Sequence, residues 1–155
     1  MSAINEWFGY YNAIYTYIDR TYGTEELNRY FRYLARETYS DVTPGYRAGG
    51  LEAIRDRYMK NFIHDGDEYS VQAQIADSVL TMEILCPAYT HGVEVKHPDR
   101  QVGMFLCQCC EKLNKAVLEE AGYALDLQMK GCGRCRWRIF ESDLSQADAA
   151  TAGGT

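Results

Sequence analysis

The chain predicts an α+β domain: a helical N-terminal half, then an antiparallel sheet with a crossover helix and a terminal β-hairpin. Three observations carry this. Apolar residues recur at steps of three and four as far as about residue 64, alternate with polar ones from Tyr69 to Cys86, and alternate again from Tyr123 to Phe140 after a second helical run. With 155 residues, 46% of them hydrophobic, the chain has the size and apolar content of one ordinary domain with a real core. Residues 1–141 are expected to form that domain. Residues 142–155, rich in Ala, Ser, Asp, Gly and Thr, have nothing to bury and are expected to be a disordered tail.

The elements follow in order. Ile4, Trp7, Phe8, Tyr11, Ile14, Tyr15 and Ile18 make one stripe of a first helix, ended by Gly23 in a left-handed stop. Thr24 is expected to cap the next helix, with Glu25 and Glu26 complementing its dipole and Leu27, Tyr30, Phe31, Leu34 and Thr38 forming its stripe. Ser40 to Gly45 is turn chemistry, extended by Gly49-Gly50. A third helix then carries Leu51, Ile54, Tyr58 and Phe62 and stops around His64. Sheet follows, with a bulge or tight turn near Asp77-Ser78 because the apolar phase reverses there, and Pro87 ends it. The loop 88–100 holds His91 and His97 and is long enough to be functional. Val102, Phe105, Leu106, Cys109, Leu113, Ala116 and Val117 restore helical spacing, and Gly122 closes that helix. Tyr123 to Lys130 and Cys135 to Phe140 pair as the terminal hairpin. The thirteen tyrosines read as core or half-buried residues and nominate no site.

Composition excludes several functions. No apolar run approaches the roughly 18 residues of a membrane span. The segment Met1 to Glu6 has neither the basic region nor the apolar core of a secretory signal, so a cytoplasmic protein is expected. A net charge of −6 argues against nucleic acid as the partner. In a reducing compartment the six cysteines point to metal or redox chemistry ahead of structural disulfides.

Four of the six lie in two Cys-x-x-Cys pairs, Cys107/Cys110 and Cys132/Cys135, separated by 21 residues. Cys107 and Cys110 share a helix face, whereas Cys109 joins the apolar stripe and reads as core. Cys86, at a strand end, can reach the same place. Cys86, Cys107, Cys110, Cys132 and Cys135 are therefore candidate ligands for zinc or iron, against two other readings: reduced thiols packed as small hydrophobes and a redox dithiol. The basic run Lys130, Arg134, Arg136 and Arg138 is either a solvated strand face or a guanidinium clamp for a substrate carboxylate. His91 and His97 are either loop surface residues or proton carriers over the site, and His64 suits a helix end.

Glu83-Ile84-Leu85-Cys86-Pro87, a cysteine near the start of the next helix, the final Gly-Cys-Gly-Arg-Cys-Arg-Trp-Arg-Ile-Phe hairpin and the entry Gly50-Leu51-Glu52-Ala53-Ile54 resemble the L-2-amino-thiazoline-4-carboxylic acid hydrolase-like family over residues 5–141. More distantly they are similar to vinyl-reductase-type small-molecule sensor domains. The resemblance implies a hydrolase that opens a C–N bond in a carboxylate-bearing cyclic amidine, with Cys86, Cys107 and Cys135 as matching positions and Cys132 as a fourth. In that reading a cysteine-bound metal polarises water or the ring, or Cys86 or Cys107 attacks it. Arg134, Arg136 or Arg138 holds the carboxylate, and His91 moves protons. The alternative from another class is a non-catalytic small-molecule sensor or binding domain built on the same pocket. The crowding of Cys107, Cys109 and Cys110 leaves open which of them corresponds.

Overall fold

The computed structural model describes residues 3–64, 70–86, 102–131 and 133–142. Four helices and four strands follow in chain order: α1 (Ala3–Tyr22), α2 (Thr24–Glu37), α3 (Thr43–His64), β1 (Val71–Ala76), β2 (Val79–Leu85), α4 (Val102–Glu120), β3 (Tyr123–Gly131) and β4 (Arg134–Glu141). The fold class is α+β, as the hydrophobic periods predict. His91, His97, Cys132, Pro87 and Tyr69, and the tail from 143 onward, lie outside the described residues.

The sheet order is β1-β2-β4-β3, every neighbouring pair antiparallel. β4 therefore inserts between β2 and β3, and α4 crosses over from β2 to the far edge. The β1–β2 hairpin turns through two residues, Asp77 and Ser78, both at positive φ, which is the backbone that a two-residue turn needs to match strand twist. Pleating then sends Leu80, Met82, Ile84, Leu125, Trp137 and Ile139 to one face, all buried. α3 packs on this face over β1 and β2, and α4 packs over β3. α2 and α1 lie behind α4 and bury a second cluster of Tyr15, Leu27, Phe31, Leu106 and Cys109.

Several local expectations change. Gly23, not Thr24, is the N-cap of α2, and no side chain caps that helix. Thr24 instead donates its hydroxyl to Asp19 Oδ1 at 2.8 Å, tying the two helices at their junction. Residues 43–49, expected as turn, already wind as helix, because Pro44 sits in a first turn where its missing N–H costs nothing. The interruption is confined to Gly50, at φ 66° and ψ −156°, a conformation open to glycine. Tyr46 holds this turn in the core, its ring 6.5 Å from that of Tyr58. Ser142, expected to begin the loose tail, donates both its N–H and its hydroxyl to the Gly122 carbonyl, at 3.0 and 2.8 Å. On α1, Tyr11 and Ile14 belong to the apolar stripe but stay 42% and 44% exposed.

Leu118 of α4 is fully buried within the main core. Leu118→Ala is expected to lower unfolding free energy by about 2–5 kcal/mol, the cost of a buried leucine with its cavity, read as a lower midpoint in urea at unchanged slope.

Candidate functional site

The ends of three elements bring sulfur together. The backbone N–H of Cys86 donates to the Gly133 carbonyl at 2.7 Å, which carries the β2–β4 ladder one step past the last register pair, Leu85 with Arg134. Cys86 thereby keeps the parity of Ile84 and sits beside Cys135, the partner of Ile84. From α4, Cys107 and Cys110 project toward the same place, one helical turn apart. Cys107 shares a thiol hydrogen bond with Cys86, and Cys86 and Cys135 are both electrostatic neighbours of Cys110. Cys109 points away into the α1–α2–α4 cluster and is 1% exposed, which fits its reading as a core residue.

A cavity of about 330 Å³ opens where α1, α2, α4 and the end of β2 meet. Cys86, Cys107, Cys110 and Asn114 form one wall; Tyr15, Leu34, Tyr30 and Leu106 are among the apolar and aromatic groups that form the others, and Tyr11 and Ile14 of the half-exposed stripe line it as well. Its size falls within the roughly 300–1,000 Å³ of small-molecule sites. A larger groove of about 720 Å³ lies at the other end of the sheet, near the Asp77-Ser78 turn. That groove is shallow, with Glu52, Asp77 and Glu141 among its lining residues, and none of the described cysteines lines it.

Asn114 organises the sulfur wall. Its amide oxygen accepts from the Tyr58 hydroxyl at 2.6 Å, and its amide nitrogen donates to the Cys110 carbonyl at 2.8 Å and to Cys110 Sγ at 3.3 Å. Tyr58 in turn packs edge-on against Trp137, centroids 5.2 Å apart, and the Trp137 indole N–H donates to Cys135 Sγ at 3.2 Å. The sequence pattern passed over Asn114 and gave Tyr58 only a place in the apolar stripe of α3. The spacing of Cys107, Cys110 and Asn114 held the signal, since steps of three and four put one amide on the face that carries the thiols.

The surroundings of Cys107, Cys109, Cys110 and Cys135 favour the protonated thiol. Cys107 is pushed far above the ordinary thiol range, first by the hydrogen bond it shares with Cys86 and then by burial. Burial raises Cys110 as well, with Cys86 and Cys135 adding to the effect and the Asn114 amide opposing it. Burial lifts Cys135, against the Trp137 indole, and moves Cys109 to about 12. Burial also holds the Tyr15 phenol neutral to well above its usual range.

The arginines stand on the other side of the sheet. Alternation along β4 places Cys135, Trp137 and Ile139 on the helix-covered face and Arg134, Arg136 and Arg138 on the open one. There Arg136 pairs with Glu83, Lys130 approaches Glu83 at 3.6 Å, and Arg138 lies 3.8 Å from Asp126. Arg136 holds the Glu83 carboxyl below its usual range. The sequence neighbours Cys135 and Arg136 are thus separated by the thickness of the sheet, so no guanidinium of this strand shares the thiols' cavity. Among the described residues no group of three His, Cys, Asp or Glu side chains is arranged to hold a metal ion. Two of the sulfurs, on Cys110 and Cys135, already accept hydrogen bonds from Asn114 and Trp137. Cys132, one of the five candidate ligands, lies outside the described residues.

No family model, curated protein or solved structure matches the chain.

Because Cys107 and Cys110 are held protonated, iodoacetamide is expected to alkylate them at least about tenfold more slowly in the folded chain than in the unfolded chain at pH 8. Their rates should keep rising with pH beyond 9, where the unfolded thiols level off. Peptide mapping of time points reads both effects.

Proposed function

We propose that the protein binds a small, uncharged, aromatic or apolar molecule in the cavity between α1, α2 and α4, as a ligand-binding or sensor domain. The observation that carries this reading is the character of the wall: among the described residues its titratable groups are all tyrosines and cysteines, and burial favours the neutral forms of Tyr15, Cys107 and Cys110. A charged ligand entering such a wall loses hydration without meeting an opposite charge, whereas a neutral aromatic one exchanges water for stacked rings and polarisable sulfur. The thiols and the Asn114 amide supply the few polar contacts that orient a ligand in an apolar site.

The hydrolytic reading rests on the resemblance. A thiol nucleophile needs a base to take its proton, and a carboxylate-bearing ring needs a cation; the described lining contains neither. Ring-opened product on incubation with a thiazoline or imidazoline carboxylate, detected by chromatography, would put hydrolysis ahead of binding.

Neutral N-phenyl-1-naphthylamine is expected to bind with one-to-one saturation, at least about tenfold more tightly than its sulfonated anion, the penalty for an unpaired charge in an apolar site. Ile14→Asp places a carboxylate on the half-exposed lip, where folding tolerates it, and is expected to weaken the neutral probe about tenfold. Fluorescence titration reads both; equal affinity for neutral and anionic probes, or an unchanged Ile14→Asp, rejects the site. Probe binding and melting temperature are expected to survive exhaustive treatment with a chelator. Loss of both, restored by added zinc, returns a metal to the proposal.

A further inference from the structure

We propose that Cys86 and Cys107 form a redox modification site: a low-molecular-weight disulfide such as glutathione disulfide converts the pair into an intramolecular disulfide that fastens the end of β2 to α4. The two sulfurs come from different elements, line the same cavity wall and are hydrogen-bonded to one another. The other described cysteines are engaged elsewhere. Cys110 Sγ accepts from Asn114 at 3.3 Å, Cys135 Sγ accepts from the Trp137 indole at 3.2 Å, and Cys109 is buried against Tyr15 and Phe31 in the other cluster. All five described cysteines are in the thiol form.

The step balances as two thiol–disulfide exchanges. The thiolate of one cysteine attacks a sulfur of glutathione disulfide, breaking that S–S bond and releasing one glutathione thiolate. The second cysteine then attacks the mixed disulfide, forming the protein S–S bond and releasing the second glutathione. Two protons leave the protein thiols, and two electrons pass to glutathione disulfide, giving two glutathione thiols. The surroundings of Cys107 disfavour its thiolate, slowing attack, so the reaction is expected on a scale of hours and the product is expected to resist reduction. Resting on the proposed ligand reading, the disulfide also takes both S–H groups out of the wall and lowers ligand affinity.

The full-length chain is equilibrated in glutathione buffers of rising oxidised fraction, quenched with acid and N-ethylmaleimide, and digested with trypsin without reduction. Cleavage at Lys96 and Arg100 separates Cys86 from Cys107, so their bond yields a linked peptide pair. The expected result is that linked pair, loss of two alkylatable thiols and a rise in melting temperature of about 5–10 °C from the closed loop. The linkage should persist in Cys110→Ser and vanish in Cys107→Ser. Stable glutathione adducts without the internal bond, a Cys107–Cys110 bond, or a linkage through Cys132 or Cys135 overturns the proposal. The neutral probe is titrated against both redox forms of the same sample. A several-fold weaker affinity in the oxidised form supports the effect on the ligand, and equal affinity overturns that effect. The linked pair with no probe binding in either form removes the ligand reading and leaves the redox pair standing.

Discussion

The hydrogen bond from Tyr58 to Asn114 joins α3 to α4 inside the helix-covered face of the sheet, and the site depends on where that bond holds α4. A buried amide left without partners is costly, and its full set of bonds fixes one rotation of the helix about its axis. In that rotation Asn114 spends its donors on the Cys110 carbonyl and sulfur, Cys107 turns toward Cys86, and Cys109 falls between α1 and α2. The C-terminal end of α4 is held as well. Arg36 of α2 pairs with the Glu120 carboxylate at 2.7 Å, and Arg47 of α3 donates to the Glu120 carbonyl. Both bonds satisfy groups at a helix end that favours cations.

A helix clamped in this way separates two packing problems. On the sheet side, Leu118, Val117 and Ala116 fill the space against Ile54, Leu125 and Ile139. On the other side, α1 and α2 pack through aromatic rings, Tyr15 against Phe31 at 5.0 Å and against Tyr30 at 6.3 Å. Rigid rings meeting near the end of a sheet leave a gap that no aliphatic side chain closes, and the cavity lies in that gap. Its neutrality follows from the same arrangement. The charges of the sheet sit on the opposite face, where Glu83, Lys130 and Arg136 satisfy one another in solvent, while tyrosine and cysteine protons are retained under burial.

Much of this was legible because the signals are local. Alternation of Leu80, Met82 and Ile84 against Val71, Ala73 and Ile75 marks a phase reversal near Asp77-Ser78, and the strand register resolves it as a turn there. The stripe through Leu106, Cys109 and Leu113 marks the buried face of α4 and assigns Cys109 to the core. Thr24 misled because a hydroxyl at a helix start has two uses, and the distance to Asp19 decides between them. Tyr15 and Tyr30 were passed over as packing residues, since a ring that fills a core and a ring that walls a cavity have the same spacing along a helix.

By itself the sequence determined the order and kind of the elements, the α+β class and the placement of cysteines at a strand end, on a helix and in a hairpin, because period, turn chemistry and spacing are properties of short stretches. Tertiary structure decided which groups meet. Cys135 and Arg136 are neighbours in the chain, yet pleating sends one into the helix layer and the other to the open face. Cys86 and Cys107 are distant in the chain, and a single ladder step from Cys86 to Gly133 together with the rotation of α4 set by Asn114 puts their sulfurs in contact. Contact of that kind depends on the relative position of whole elements, a quantity that no local pattern encodes.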